Sequence, residues 1–443
     1  MYRIGRSVLV ILATSLVWRL PFFMDNILTS TICRYYVDQG FGHLILPTLI
    51  DAGHPPLFYL YLATAWKIFG VSLAVAHLAM VPFMFLFLWS CRELLPKTLP
   101  EIFVFPLSIG PVLAQFTMPS YDFAMLSMAL AAIVFIGNGN RVAFFVLLIL
   151  ISLISLRGIM ISGCMAIAYG YKYSKYDKNY LYLSLISSLP LLCWYGYHYS
   201  MTGWLLSSPS SHWHSQRVVS LVSFLIPNFV GFVRCFIDNG MMILTIIYLF
   251  FIIKNKKYKE FLFLSVLTFM LVMPLFFTSN PILQRYFLFI YVLMALSVAE
   301  QLADIYYGKY LIAILSALLL LSNLFYYKDF SNSWDTNGLY WRYFSGYSAV
   351  IQYLDSHKIA KYECAASFPV FNSQRQVYAH GDTIRMQDAL EIPTGTTEYL
   401  IYSNACNAFE KSDLQLVRHD YVLVKSYASY PFYFDIYKRM SMN

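Results

Sequence analysis

The sequence predicts a polytopic α-helical membrane protein: about eleven transmembrane helices, outer interfacial helices, and a small C-terminal α/β domain. Three observations predict it. Of 443 residues, 59% are hydrophobic and only 12% charged, against about 25% charged in soluble domains. Apolar runs recur between short basic loops. From about residue 327 the pattern changes to polar sequence with short alternating apolar stretches.

The formal charge of +8 invites a nucleic-acid partner. The lysines and arginines instead fall in short loops between apolar runs, so the excess reads as topological and no nucleic-acid partner is expected. The start, MYRIGR followed by an apolar run to about Met24, resembles a signal peptide. Trp18-Arg19-Leu20-Pro21 makes a poor cleavage site, and the run is read as an uncleaved first span.

Apolar runs lie near 7–24, 72–90, 99–116, 123–137, 142–156, 158–171, 180–198, 239–253, 261–277, 284–300 and 310–326. Basic residues precede the first (Arg3, Arg6). Others follow the second (Arg92, Lys97), fourth (Arg141), sixth (Lys172, Lys175, Lys178), eighth (Lys254, Lys256, Lys257, Lys259) and tenth (Lys309). All fall on one side if residues 56–69 do not cross the bilayer. Two adjacent prolines, Pro55 and Pro56, allow a helix to begin only at or after them, and the run that follows is too short to span comfortably. The positive-inside rule then places the N-terminus in the cytoplasm and makes 56–69 an interfacial helix on the outer face. The outer loop 25–71, a second loop at 199–238 and the tail 327–443 collect outside. The chain divides into a transmembrane domain, 1–326, and an outer α/β domain, 327–443, with a helix near 347–357 and strands near 398–404 and 420–427. Cys364 and Cys406 share that oxidising side and are open to a bridge or to two separate thiols.

Several residues could carry chemistry. Asp25 directly follows the first span, and Asp122 stands at the outer start of the fourth. Two carboxylates on one face suit a base and its orienting partner; the plain alternatives are a solvated helix boundary and a helix cap. Arg285 opens the tenth span on the outer side, where a forked guanidinium suits a phosphate, or snorkels to lipid headgroups. Arg157, at the break between the fifth and sixth spans, has the same two readings. His212-Trp213-His214 lacks the neighbours of a metal site, and no P-loop, GxSxG, HExxH or CxxC occurs. The tail aromatics Trp334, Tyr340, Trp341, Tyr343 and Tyr347 suit either sugar stacking or a domain core.

Together, Asp25 after the first span, the block His54-Pro55-Pro56-Leu57-Phe58-Tyr59 with Trp66 and Phe69-Gly70, Tyr121-Asp122, and Arg285-Tyr286 resemble the polyprenyl-phosphate-dependent C-type glycosyltransferases. These include protein O-mannosyltransferases and bacterial lipid A aminoarabinose transferases. The resemblance covers the first 140 residues or so and Arg285-Tyr286, and the remainder only as architecture. In size and layout the chain is similar to the phage- and prophage-encoded serotype-converting O-antigen glucosyltransferases. The resemblance implies an undecaprenyl-phosphate sugar donor and the O-antigen of lipopolysaccharide as acceptor. It also implies a multi-pass location in the bacterial inner membrane, with the reaction on the periplasmic face. Asp25 carries over as base and Asp122 as the second carboxylate. Arg285, Tyr286, Arg157 and His54 carry over to the donor phosphate, and Tyr121 and Trp341 to the acceptor. His54 stands where many members have lysine, and Asn26 follows Asp25 where the family often has glutamate; both leave donor preference open. No nucleotide enters, so neither cofactor nor metal is expected. The rival readings are aminoarabinose transfer to lipid A, a polymerase or ligase acting on a lipid diphosphate, and a lipid-sugar transporter. A transporter places ionisable residues near the midplane and shows related halves, and neither is seen here.

Overall fold

The computed structural model describes residues 2–95, 100–173, 180–206, 208–210, 218–220, 222–325, 334–389, 397–405 and 411–440. The expected segments Lys97, Lys175–Lys178, His212–His214 and Cys406 lie outside them. The architecture is a helical body followed by a small mixed sheet.

Helix α1 (Tyr2–Val17) forms the first apolar run, and α2 (Asp25–Asp38) starts at Asp25 itself. Its start suits a carboxylate, because the free amides of a first turn favour negative charge. The expected interfacial helix is α3 (Leu57–Phe69), with Pro56 immediately before it and Gly70 at its end in a positive-φ conformation. Then come α4 (Leu73–Ala79) and α5 (Val81–Leu94), a 3-10 turn over Pro100–Ser108, α6 (Gly110–Thr117), and α7 (Tyr121–Gly137). The chain bends by 110° between α6 and α7, where Pro119 cannot continue a helix. Next are α8 (Arg141–Ser152), α9 (Leu156–Tyr173), α10 (Tyr180–Thr202), α11 (Leu225–Cys235), α12 (Met241–Lys254), α13 (Tyr258–Val272), α14 (Leu288–Ala303) and α15 (Gly308–Ser322).

Nearly every apolar run is thus a helix, but the span count needs correcting. Among the described residues, three helices are long and apolar enough to cross a membrane, or five if each bent pair is one span. Several others are short, as in α8 and α15, and α10, 23 residues long, is interrupted by Pro190 and rich in polar residues. Two helices were not expected. Both α2 and α11 lie in segments read as outer loops, because each is too short or too polar to register as a span.

The tail forms α16 (Tyr343–Ser356), β1 (Cys364–Ala366), α17 (Gln374–Tyr378), β2 (Gln387–Asp388), β3 (Tyr399–Ser403), α18 (Lys411–Asp420), β4 (Tyr421–Ser429) and β5 (Phe432–Arg439). The sheet order is β2-β1-β3-β5-β4, parallel around β1 and antiparallel around β5. Helix α16 lies on β4 and β5, where a Cβ on Gly346 would meet the Phe434 ring at 2.3 Å. The tail aromatics divide accordingly. Tyr340, Tyr343 and Tyr347 are buried, so these three form core, not a sugar platform. They also fasten the domain to the helical body. Phe23, just beyond α1, packs against Tyr340, Tyr343, Phe344 and Phe432, and Phe22 donates its backbone N–H to Val377 at 2.8 Å. Cys364 is buried.

Candidate active site

Five separate chain breaks deliver charged side chains to one place. Asp25 comes from the start of α2 and Tyr121-Asp122 from the α6–α7 bend. Arg157 comes from the start of α9, Arg285-Tyr286 from the turn Gln284–Phe287 before α14, and Asp335 from the turn Trp334–Thr336. Each sits at the end of an element because only there can a side chain leave the helix–helix interface for a shared cleft. Gly158 makes the α9 end possible, since a Cβ there would lie 2.0 Å from the Ile151 carbonyl oxygen at the end of α8.

Arg285 is the hub. Its guanidinium is buried, with the side chain 6% exposed. One Nη donates to Asp25 Oδ2, the other to Asp335 Oδ2 at 2.6 Å, and Nε lies 3.9 Å from Asp122 Oδ2. Arg157 Nη2 lies 2.8 Å from Asp122 Oδ1 and donates to Tyr121 Oη at 2.9 Å. The Arg157 guanidinium also sits over the Tyr286 ring, 4.2 Å from its centroid, a stacked arrangement that planar guanidinium favours where water is excluded. His54 packs beside Tyr121, with ring centroids 6.0 Å apart. The prolines after it abut the α8–α9 break, where Leu57 N–H donates to the Leu153 carbonyl at 3.1 Å.

The structure therefore brings together seven of the eight residues singled out in the sequence: Asp25, His54, Tyr121, Asp122, Arg157, Arg285 and Tyr286. Trp341 is the exception. It is 47% exposed and lies under the Arg342 guanidinium in the tail. Two plain alternatives are corrected. Arg285 does not snorkel to headgroups, because carboxylates enclose it. Asp122 is not the cap of α7; Ser120 is, its Oγ accepting from the Asp122 backbone N–H at 3.2 Å.

Asp335 is the residue the sequence reading missed. It is 2% exposed at the side chain, and burial raises its carboxyl pKa above the ordinary value although Arg285 pulls it down. A buried amide network holds its segment. Gln115 Nε2 donates to the Asp335 carbonyl at 2.7 Å, and Thr336 Oγ1 to Gln284 Oε1 at 3.1 Å. Asn337 Nδ2 donates to both Asn239 Oδ1 and the Asn323 carbonyl at 3.1 Å. The only sequence signal was Asp335-Thr336-Asn337-Gly338, an ordinary turn composition.

The electrostatics are asymmetric. Three carboxylates face two guanidiniums. Asp122 and Asp335 are buried, while the Asp25 side chain is 43% exposed. Asp25 is thus the carboxylate a substrate can reach. Nε of Arg157 and Nε of Arg285 are buried without a hydrogen-bond acceptor among the described residues. Oδ1 of Asp335 is likewise without a donor among the described residues, so the cluster holds unmatched donors and an unmatched acceptor that a ligand or water would complete. An exposed carboxylate can take a proton from one group while the two buried guanidiniums beside it stabilise negative charge on another. Nearby, α3 and α4 bound an apolar groove of about 800 Å³ that includes Tyr61, Ile68, Phe69 and Leu78.

No family model matches the chain, and no curated protein matches it. Among solved structures, it is similar to the crystal structure of ArnT from Cupriavidus metallidurans bound to undecaprenyl phosphate. The identity is 11% and the TM-score 0.50, with 98% of each chain covered. The crystal structure of the same protein in the apo state matches with 12% identity, a TM-score of 0.49 and the same coverage. At this identity the likeness is one of fold, and it extends over the helical body and the tail alike.

Proposed function

We propose that this chain is a multi-pass inner-membrane glycosyltransferase that moves a sugar from an undecaprenyl-phosphate donor to an envelope glycan on the periplasmic face. The observation that carries the reading is the cluster itself: one reachable carboxylate, Asp25, against two buried guanidiniums with unmet Nε donors. That the similar fold of ArnT was crystallised with undecaprenyl phosphate supports the choice of donor.

In this reading Asp25 accepts the proton of the acceptor hydroxyl as the oxygen attacks the anomeric carbon. The bond from that carbon to the phosphate oxygen breaks in the same displacement, and the configuration inverts. The leaving phosphate gains charge, which Arg285 and Arg157 stabilise. Asp122 and Asp335 hold the two guanidiniums in place, and Tyr286 fixes the plane of Arg157. The apolar groove beside α3 suits a prenyl chain, because its walls are aliphatic and aromatic. The finer assignment, glucose onto the O-antigen of lipopolysaccharide, rests on the sequence resemblance. The shared fold is equally compatible with lipid A as acceptor. Structural analysis of the envelope glycans from cells with and without the chain, supplied with one lipid-linked sugar at a time, decides between them. Added glucose on O-antigen supports the finer reading, a modified lipid A replaces it, and no change with any donor removes the proposal.

A further inference from the structure

A second cleft, of about 240 Å³, lies between α2, the end of α3 and the tail segment 373–385. It shares no residue with the charged cluster, yet α2 connects them. Asp25 opens this helix, and Ser30, Thr31 and Arg34 follow one to three turns along it. The opposite wall brings Arg375 and Arg385, with Ser373, Gln376 and Thr383. The acidic groups at this wall are few. Asp38 accepts from Arg34 Nε at 2.9 Å and lies 3.8 Å from Arg375, and Asp382 is held by Lys361 at 2.6 Å. Arg385 meets no carboxylate among the described residues; its guanidinium rests over the Phe371 ring, 4.8 Å from the centroid. Three guanidiniums thus share one carboxylate, and the remaining lining mixes Trp66, Val71 and Ala379 with the hydroxyl side chains and Gln376, whose amide bridges Ser373 and Thr31.

We propose that this cleft binds an acidic sugar of the acceptor glycan, one bearing a phosphate or a carboxylate. Forked guanidiniums match either anion in two-point contact, and the Thr383 hydroxyl beside them suits a sugar hydroxyl. Helix α2 then sets the register: the acidic sugar is held along its length, and a neighbouring hydroxyl reaches Asp25 at its start. The inference rests on the glycosyltransferase reading for the word acceptor, but the anion site stands on its own residues.

The test uses the full chain in nanodiscs, with equilibrium binding of glucose 6-phosphate, neutral glucose and glycerol 3-phosphate, the last standing for a phospholipid headgroup. Wild type should bind glucose 6-phosphate saturably, and glucose and glycerol 3-phosphate far more weakly. The double variant Arg375→Ala, Arg385→Ala should lose about tenfold or more, as expected when charge-assisted hydrogen bonds are removed, and the double Lys variant should recover part of it. Undecaprenyl phosphate binding, measured on the same samples, should stay at the wild-type level, which also shows that the variants are folded. No binding of glucose 6-phosphate, equal binding by the Ala variant, or glycerol 3-phosphate binding as tightly would overturn the proposal. Wild type that binds glucose 6-phosphate but not undecaprenyl phosphate would keep the anion site and remove the donor reading instead.

Discussion

At the scale of single residues, the cluster makes separate demands on its charges. Arg285 lies between Asp25 and Asp335, so its loss leaves a buried carboxylate without its cation. Arg285→Ala should weaken undecaprenyl phosphate binding and slow transfer, and Arg285→Lys should restore only part, because an ammonium cannot form the fork. Wild-type turnover in Arg285→Ala, measured per folded molecule, would remove it from the site. Asp335 makes a different prediction. Three carboxylates against two guanidiniums leave one negative charge in excess, and burial already raises the Asp335 pKa. A donor phosphate brings more negative charge, so binding should draw a proton onto the buried carboxylates, Asp335 and Asp122, and tighten as pH falls towards the carboxylate range. Asp335→Asn carries no titratable proton, and its donor affinity should vary less with pH than that of wild type. Parallel titrations by both proteins would take the proton from Asp335 and leave it to Asp122, and a pH-independent wild type would contradict the proton uptake. Most of this cluster was legible in the sequence, because Asp25, Asp122, Arg157 and Arg285 each interrupt or bound an apolar run, where a charge stands out. Asp335 was not. It follows 50 residues after Arg285 in a polar segment, where aspartate is unexceptional until the fold buries it.

At the scale of elements, the His54-Pro55-Pro56 corner needs its own anchor. Asp51 Oδ2 lies 3.0 Å from His198 Nε2 at the end of α10, and both side chains are buried. Asp51 Oδ1 accepts from the Gly53 N–H at 2.8 Å, and His198 Nδ1 lies 3.1 Å from the Trp204 carbonyl. Gly53 is required there: its φ is +70°, and a Cβ would lie 2.8 Å from the Leu206 carbonyl oxygen. This anchor joins the first outer loop to the end of α10, 147 residues further along the chain, and no local signal pairs them. Breaking it should move the corner, and His54 with it, while leaving the ion pairs of Arg285 and Arg157 in place. His198→Ala should cost about 3 kcal/mol of stability, typical of stranding one member of a buried pair, and should lower turnover. Adding Asp51→Ala should then cost little more or recover part of the loss, since no stranded charge remains. Fully additive losses in thermal unfolding of the solubilised protein would show that the pair does not act as a unit. The helices themselves were easier to read than their lengths. Apolar periodicity marks where α5, α7, α12 and α14 run, but the bend at Pro119 and the short α8 and α15 depend on packing that no window of sequence contains.

At the scale of the whole molecule, the account requires that the cluster and the tail domain lie on one face and the basic loops on the other. One described basic loop lies away from the cluster. Arg285 precedes α14 at the cluster end, whereas near its far end Glu300 meets Lys257 at 3.0 Å and Gln301 meets Asn255. Cysteine labelling in intact cells should reach introduced thiols near residues 35, 60 and 380 from outside, and those near 95 and 256 only from the cytoplasm. Cytoplasmic labelling at 60 or 380 would invert the reading. The central claim is that this cluster transfers a sugar from a polyprenyl phosphate with Asp25 as base. Its most direct test is single-turnover transfer from undecaprenyl-phosphate glucose to lipopolysaccharide by wild type and Asp25→Asn, with folded protein quantified in parallel. Asn keeps the size and one hydrogen-bond acceptor but cannot take the proton, so the rate should fall by roughly 10²–10⁴-fold, with undecaprenyl phosphate binding retained. Near-wild-type single-turnover transfer by folded Asp25→Asn would contradict the account.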